Sequence, residues 1–219
     1  MDDQNAPQPS DMSQDHDASS APAARTAPLV TESASLDAAL GRAPLAVLLH
    51  SASEISGRVN AIRDPDELLR TVIPLLIEHF NLYYAHIYLL DPETATLRLR
   101  AGYGEAGQAM LRREHRIPLE ADRSLVARAA RAREPVVVND VRDHPDFLPN
   151  PLLPNTRAEV ALPMVVQGEV LGVFDIQDDH VDAFPAVQVD VLFTLVGQIA
   201  TALQNAQHVA HIAQNLLET

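Results

Sequence analysis

The chain has 219 residues, of which 47% are hydrophobic, and a formal net charge of -14. This length predicts one ordinary domain, and the negative charge disfavours binding to nucleic acid or anionic membranes. Cysteine is absent, which excludes disulfides, thiolate metal sites and cysteine nucleophiles. We recognise no secretory leader and no apolar run of about 20 residues, so we expect a soluble, cytoplasmic protein.

The N-terminal third combines an acidic tail with two predicted helices. Residues 1–35 are rich in Pro, Ser and acids and are predicted to be disordered. Residues 36–63 are predicted to form a helix whose apolar residues follow alternating steps of three and four. A second helix is predicted from Asp64-Pro65, with its apolar face towards a sheet and a kink at Pro74.

Alternating apolar residues then predict several strands. Tyr83 to Leu90 and Thr96 to Tyr103 form a hairpin around a turn at 91–94. A short strand at 117–119, a helix at about 124–133 and a strand at 135–139 follow. The segment from Asp140 to Arg157 contains four prolines and is predicted to be a long loop over the surface or over a pocket.

The segment 159–177, EVALPMVVQGEVLGVFDIQ, predicts a second hairpin. Gly168 can take the positive φ that a two-residue turn requires, and branched residues such as Val165 and Val173 suit strands. Nearly every position is apolar. We therefore expect this hairpin at the centre of a sheet that is covered on both faces.

The last predicted helix runs from about residue 186 towards residue 217 and carries a heptad seam. We interpret this seam, with the seam of the first helix, as the interface of a parallel homodimer. The alternative is that the two helices pack on each other within one chain. The candidate interface residues are Leu45, Leu48, Ile55, Val59, Leu192, Leu195, Ile199, Ala202, Ala206 and Val209.

The order of these elements resembles the GAF family of small-molecule sensor domains, over about 64–206. The resemblance is carried by IYLLDPETATLRLRAGYG, REPVVVNDVRDHPDF and TRAEVALPMVVQGEVLGVFDIQ. It implies an α+β fold with a central, mostly antiparallel sheet, helices on one face, and a ligand pocket and loop on the other. The long N- and C-terminal helices would flank this domain and dimerise, and the closing helix would continue to residue 219.

The candidate ligand-binding residues come from the first strand and the long loop. Tyr84, His86 and Tyr88 alternate along one strand face, and such a polar and aromatic row suits a pocket floor. By the resemblance, the loop supplies the rim of the pocket. The candidate rim residues are Asp140, His144, Phe147 and Arg157, for which an alternative is local turn capping and ion pairing.

No motif predicts catalysis. The sequence has no nucleophile motif of the GxSxG type, no HExxH metal spacing and no nucleotide-binding glycine box. We therefore expect a sensor module that is not an enzyme and has no metal site. It needs no cofactor, binds an unknown small molecule and signals to a downstream protein, without nucleic acid or membrane partners. The alternatives are a ligand-free dimerisation adaptor and, less favoured, a haem sensor with His86 as axial ligand or an enzyme.

Overall fold

The computed structural model describes residues 44–217, and its centre is a six-stranded antiparallel sheet. The strand order is β3-β2-β1-β6-β5-β4. This sheet confirms the predicted α+β architecture. The strands are β1 (Tyr84–Asp91), β2 (Thr96–Gly102), β3 (Arg116–Pro118), β4 (Val136–Val138), β5 (Ala158–Val166) and β6 (Glu169–Asp178).

The hairpin β5-β6 has the predicted turn. Val166 pairs with Glu169, and the two residues between them, Gln167 and Gly168, have φ values of 52° and 84°. Two consecutive positive φ values are those of a type I′ turn, whose twist matches that of the flanking strands. Both strands are buried over most of their length, because helices or loops cover both faces of the sheet.

Three helices cover one face of the sheet. They are α1 (Leu45–Val59), α2 (Pro65–Phe80) and α5 (Ala186–Leu217). Their apolar faces share one core with alternate residues of the strands, including Ile87 of β1 and Phe174 of β6. A second core lies on the opposite face, under α3 (Gly104–Arg112), α4 (Leu125–Ala132) and the loop at 139–157.

Helix α3 has no counterpart among the elements predicted from the sequence. Gly104 and Gly107 lower the helix propensity of this segment, which hides it from sequence patterns. The structure explains Gly107, since a Cβ atom there would lie 2.2 Å from the backbone carbon of Gly102. The glycine thus lets α3 lie directly against β2.

Helix α1 packs on α5 within one chain. Of the ten residues predicted to form a dimer interface, all but Leu45 and Val209 are buried within the single chain. The structure therefore places most of the predicted seam in the core of a single chain. The buried residues are Leu48, Ile55, Val59, Leu192, Leu195, Ile199, Ala202 and Ala206. The predicted helix begins at residue 36, and its part before residue 44 lies outside the described residues, as does the predicted tail.

Helix α5 is long and apolar enough to cross a membrane by length and composition alone, whereas the sequence predicted no apolar run of this kind. Half of its most apolar 18-residue window is buried inside the fold. The central helix of a soluble domain passes the same test. Because α5 contributes many residues to the main core, packing within this chain explains why the helix is apolar.

Candidate ligand-binding site

A cavity of about 380 Å³ lies between the sheet and the elements that cover its second face. The strands β1, β5 and β6 form its floor, and the start of α4 forms one wall. The other walls are the segment 148–152 and the region between Met110 and Pro118. Its volume falls within the range of about 300–1,000 Å³ that is typical of small-molecule sites.

The floor of the cavity is polar, although the strands that form it are otherwise apolar. His86 lies opposite Asp175 in the β1-β6 ladder, and its Nε2 is 2.5 Å from Asp175 Oδ2. Gln177 Nε2 donates to the same oxygen at 2.9 Å. Thr156 Oγ1 in turn donates to Gln177 Oε1 at 2.7 Å. This chain of contacts fixes the orientation of the floor side chains.

Glu159 adds a second buried carboxyl group to the floor. It lies opposite Gln177 in the β5-β6 ladder, and 6% of its surface is exposed. Burial, together with the negative charge of Asp175, raises the pKa of Glu159 well above its ordinary value of 4.5. The fold therefore opposes simultaneous ionisation of Glu159 and Asp175.

Two polar atoms of the floor have no partner. His86 Nδ1 and Asp175 Oδ1 are buried and make no hydrogen bond within residues 44–217, and the hydroxyl of neighbouring Tyr84 is the third such side-chain atom. A buried unsatisfied polar group costs about 1–3 kcal/mol. His86 and Asp175 both line the cavity, so a bound molecule with suitable donors and acceptors would offset this cost.

Tyr88 and His115 form a polar contact at the side of the cavity. The Tyr88 hydroxyl is 3.1 Å from His115 Nδ1. Burial raises the pKa of Tyr88, whereas burial and the nearby His86 lower the pKa of His115. At neutral pH the phenol is therefore protonated and the imidazole is neutral, which suits donation from the hydroxyl to Nδ1.

Arginines around α4 hold the long loop over the cavity. Arg123 donates to the carbonyl oxygens of Pro145 and Phe147 at 3.0 and 3.2 Å. Arg128 pairs with Asp146 at 3.1 Å. Arg123 itself lines the cavity, so the same side chain touches both the loop and the site.

Two of the seven predicted ligand-binding residues line the cavity. His86 and Tyr88 do so, and Tyr84 is buried beside His86 with a ring-centroid distance of 5.1 Å. The four predicted loop residues do not line it, because local contacts hold them elsewhere. Asp140 pairs with Arg142, His144 Nδ1 accepts from the Asp146 amide, Phe147 packs on the second core, and Arg157 donates to the Thr156 carbonyl.

The acidic part of the floor was not predicted from the sequence. Asp175 and Gln177 alternate with Phe174 and Ile176 in GVFDIQ, so one face of this central strand is polar while the other is apolar. A buried strand face that carries a carboxylate requires partners. This alternation is the signal that could have identified Asp175, Gln177 and, across the hairpin, Glu159.

One further group of potential metal ligands lies outside the cavity. Within the part of the chain that the structure describes, the group with suitable spacing consists of Asp178, Asp179 and His180. His180 Nδ1 lies 2.8 Å from Asp179 Oδ1. Both His180 and Asp179 are exposed, and ion pairing within the group accounts for the arrangement.

A family model decides the relationship of this chain to known proteins. The model of the GAF domain matches residues 62–204. The chain belongs to the GAF domain family. This membership and the fold support a sensor or regulatory module. The comparison with curated proteins finds no match.

Solved structures with the same fold include both GAF domains and enzymes. The GAF domain of a phosphoenolpyruvate-protein phosphotransferase from Coxiella burnetii is 21% identical, with a TM-score of 0.68 over 77% of this chain and 99% of that one. The free methionine-R-sulfoxide reductase from Neisseria meningitidis, solved with its substrate, is 23% identical, with a TM-score of 0.65 over 75% and 93%. The type II enzyme from Thermoplasma acidophilum is 24% identical, with a TM-score of 0.53 over 64% and 95%.

These enzymes correct the expectation that the chain is not an enzyme. Because free methionine-R-sulfoxide reductases share its fold, the GAF architecture is compatible with enzyme activity, and the prediction from the sequence was wrong to exclude it. At 19–24% identity the likeness shows the fold alone. The chain itself has no cysteine, so a reaction in its cavity would depend on other side chains.

Proposed function

We propose that this GAF domain is a cytoplasmic sensor that binds a small molecule in the cavity above His86 and Asp175. The observation that carries the proposal is the pair of buried, unpartnered atoms, His86 Nδ1 and Asp175 Oδ1, on side chains that line the cavity. The small molecule itself is the signal, and no permanent cofactor is required. Natural proteins leave few buried polar groups without partners, and those groups call for an explanation.

Strand β6 would transmit the bound state to the helices. Asp175 faces the cavity, whereas its neighbours Phe174 and Ile176 belong to the main core together with residues of α5. A ligand that favours one position of β6 also favours one packing of α5 against the sheet. Sensing then works by a shift between states that differ in ligand affinity.

The output end of α5 would pair with a second copy of this chain. The apolar seam that is buried up to Ala206 continues outside the domain, where Val209 and Leu216 are exposed. A stripe of exposed apolar residues at heptad spacing is typical of a helix that pairs with another. A downstream signalling protein would recognise the resulting homodimer.

Native mass spectrometry of the freshly purified full chain tests the binding proposal, together with thermal shifts for a panel of metabolites. We expect a bound small molecule, or a raised midpoint with at least one compound. Ala121→Trp, which fills the cavity, abolishes the shift. Val137→Trp, on the exposed side of β4 and outside the cavity, leaves it unchanged. A wild-type protein that carries no ligand and responds to no compound would favour the ligand-free adaptor instead.

A further inference from the structure

The mouth of the cavity carries a cluster of arginines, although the chain as a whole is acidic. Residues 112–133 contain seven arginines and three acidic residues, whereas the formal net charge of the whole chain is -14. Three of these arginines are exposed and line the cavity. Others adjoin them, since Arg131 donates to the carbonyl oxygen of the lining residue Ala121 at 3.2 Å. We call the group at the mouth the arginine rim, which consists of Arg112, Arg113, Arg116, Arg123 and Arg131.

The fold leaves most of this positive charge without a carboxylate. Arg116 pairs with Glu114 at 3.3 Å. Arg123 and Arg131 donate to backbone carbonyl oxygens, which carry no net charge. The other two rim arginines form no ion pair with any residue that the structure describes. Four of the five guanidinium groups can therefore bind an acidic group, and carboxylates suit the forked geometry that a guanidinium prefers.

The N-terminal segment of the same chain has the opposite charge. Residues 2–17, which precede the described residues, contain five aspartates and no arginine or lysine. From this complementarity we infer that residues 2–17 bind the arginine rim of the same chain and thereby cover the mouth of the cavity. A single exposed ion pair is weak, so several aspartates must engage the rim together. The aspartates are Asp2, Asp3, Asp11, Asp15 and Asp17.

The chain between this segment and the domain is long enough for the contact. Asp17 lies 27 residues before Pro44, where the described residues begin, and an extended chain of that length spans about 90 Å. A compact domain of this size has a radius of gyration of about 16 Å. Such a tether also gives an effective concentration of about 1 mM, which favours the chain's own segment over a free acidic partner. The contact goes beyond the proposed function and does not depend on whether the cavity binds a ligand.

Paramagnetic relaxation in the full chain tests the contact. The chain has no cysteine, so Ser13→Cys provides a single attachment site for a nitroxide spin label within the acidic segment. In about 50 mM NaCl we expect the backbone amide signals of Arg113, Arg116 and Arg123 to lose at least half of their intensity, relative to the chain with the reduced label. In about 500 mM NaCl the loss disappears, because the Debye length falls to about 4 Å.

Charge variants of the labelled chain distinguish an electrostatic contact from simple proximity. Replacing all five aspartates of the segment by asparagine restores the rim signals. Arg112→Gln together with Arg113→Gln restores at least half of the lost intensity at the remaining rim residues. Arg58→Gln together with Arg63→Gln is the matched control, since it also removes two exposed arginines but leaves the rim intact, and the loss should persist. Thermal midpoints verify that each variant is folded.

Two results would overturn the inference, and both are independent of any ligand. If the rim signals keep their intensity at low salt, or if the loss survives replacement of the five aspartates, the segment does not bind the rim through its charge. A mixture of spin-labelled chains with isotope-labelled chains that carry no spin label identifies the chain that is bound. Loss of the rim signals in this mixture would place the segment on a second copy and contradict a contact within one chain.

Discussion

Glu159 and Asp175 show how strand register determines chemistry at the scale of single residues. Neither carboxyl group belongs to a loop, and both are held by ladders that also build the core. Asp175 has His86 and Gln177 as partners, whereas Glu159 is kept near its neutral form by burial and by the charge of Asp175. Burial in the cavity therefore disfavours the ionised form of Glu159.

Glu159 is expected to make stability depend on pH. Its pKa is raised in the folded state, so the folded protein holds a proton that the unfolded chain releases above about pH 4.5. Stability from this group therefore falls as the pH rises from that value through the folded pKa. The neutral variant Glu159→Gln escapes the loss, and its advantage in thermal midpoint over the wild type grows between pH 5 and pH 8.

Thermal melts of the ligand-free proteins at several pH values measure this effect. The other titratable groups around the site are the same in both proteins, so the difference between the two curves reports the contribution of Glu159. These groups are Asp175, His86, Tyr84 and Tyr88. Glu169→Gln on the exposed end of β6 is the control and should follow the wild type. An advantage of Glu159→Gln that is constant over this range would contradict the assignment.

At the scale of elements, the close pairing of β1 with β6 positions the site. Gly172 of β6 lies opposite Leu89, and a Cβ atom at Gly172 would lie 2.0 Å from the carbonyl oxygen of Tyr88. The two nearest atoms that this Cβ would meet, the Tyr88 carbonyl oxygen and the Leu89 Cα, belong to the backbone and cannot rotate away as a side chain can. The spacing of the two strands that carry His86 and Asp175 therefore depends on a residue without a side chain.

Gly172→Ala is accordingly expected to destabilise the protein strongly, by at least about 2–3 kcal/mol, because the strands must separate or shift. Gly197→Ala in α5 is the matched control, since a Cβ atom there meets nothing within 4 Å. The control should gain roughly 0.5–1 kcal/mol from the better helix propensity of alanine. Urea unfolding curves of the two variants measure both free energies, and equal stability of the two would refute the packing argument.

The elements also show which features a sequence can predict. The hairpin β5-β6 was predictable because branched residues flank Gly168, and period-2 alternation defined β2. Helix α3 was not predictable, because its glycines lower the helix propensity of the segment. Gly107 allows the close contact between α3 and β2, and this contact exists only in the tertiary structure. Asp140 and His144 were misplaced because loop residues with ligand-like side chains are held here by local contacts. Asp175 was not predicted as a site residue because it is a single carboxylate in an otherwise apolar strand, and the strand was interpreted only as part of the sheet.

At the scale of the whole molecule, one core packs α1 against α5 and a second core borders the cavity. The apolar seam of α5 is buried in the first core up to Ala206, and beyond this residue its members Val209 and Leu216 are exposed. Substitutions within the buried part, such as Leu195→Glu, would unfold the chain and cannot report on association. A test of the proposed homodimer must therefore use the exposed end of the helix.

Light scattering with Val209→Glu and Leu216→Glu together provides that test. We expect the wild type to be a dimer at tens of micromolar and the double variant to be a monomer with an unchanged melting curve, since both positions are exposed in one chain. Gln207→Glu adds the same charge at an exposed polar position and should remain dimeric. A wild type that is monomeric at this concentration would show that the seam does not pair chains.

The type I′ turn at Gln167 and Gly168 sets the register of β6 and so determines which of its side chains line the cavity. Because side chains in a strand alternate, one residue inserted between this turn and Asp175 would exchange the two faces of β6. Asp175 and Gln177 would enter the helix-covered core, and Phe174 and Ile176 would enter the cavity. A point substitution in β6 would change one residue of the cavity floor, whereas a single insertion would remove both the polar floor and the apolar core face of this strand. Gly168 thus helps to determine which side chains line the cavity, although it does not line the cavity itself.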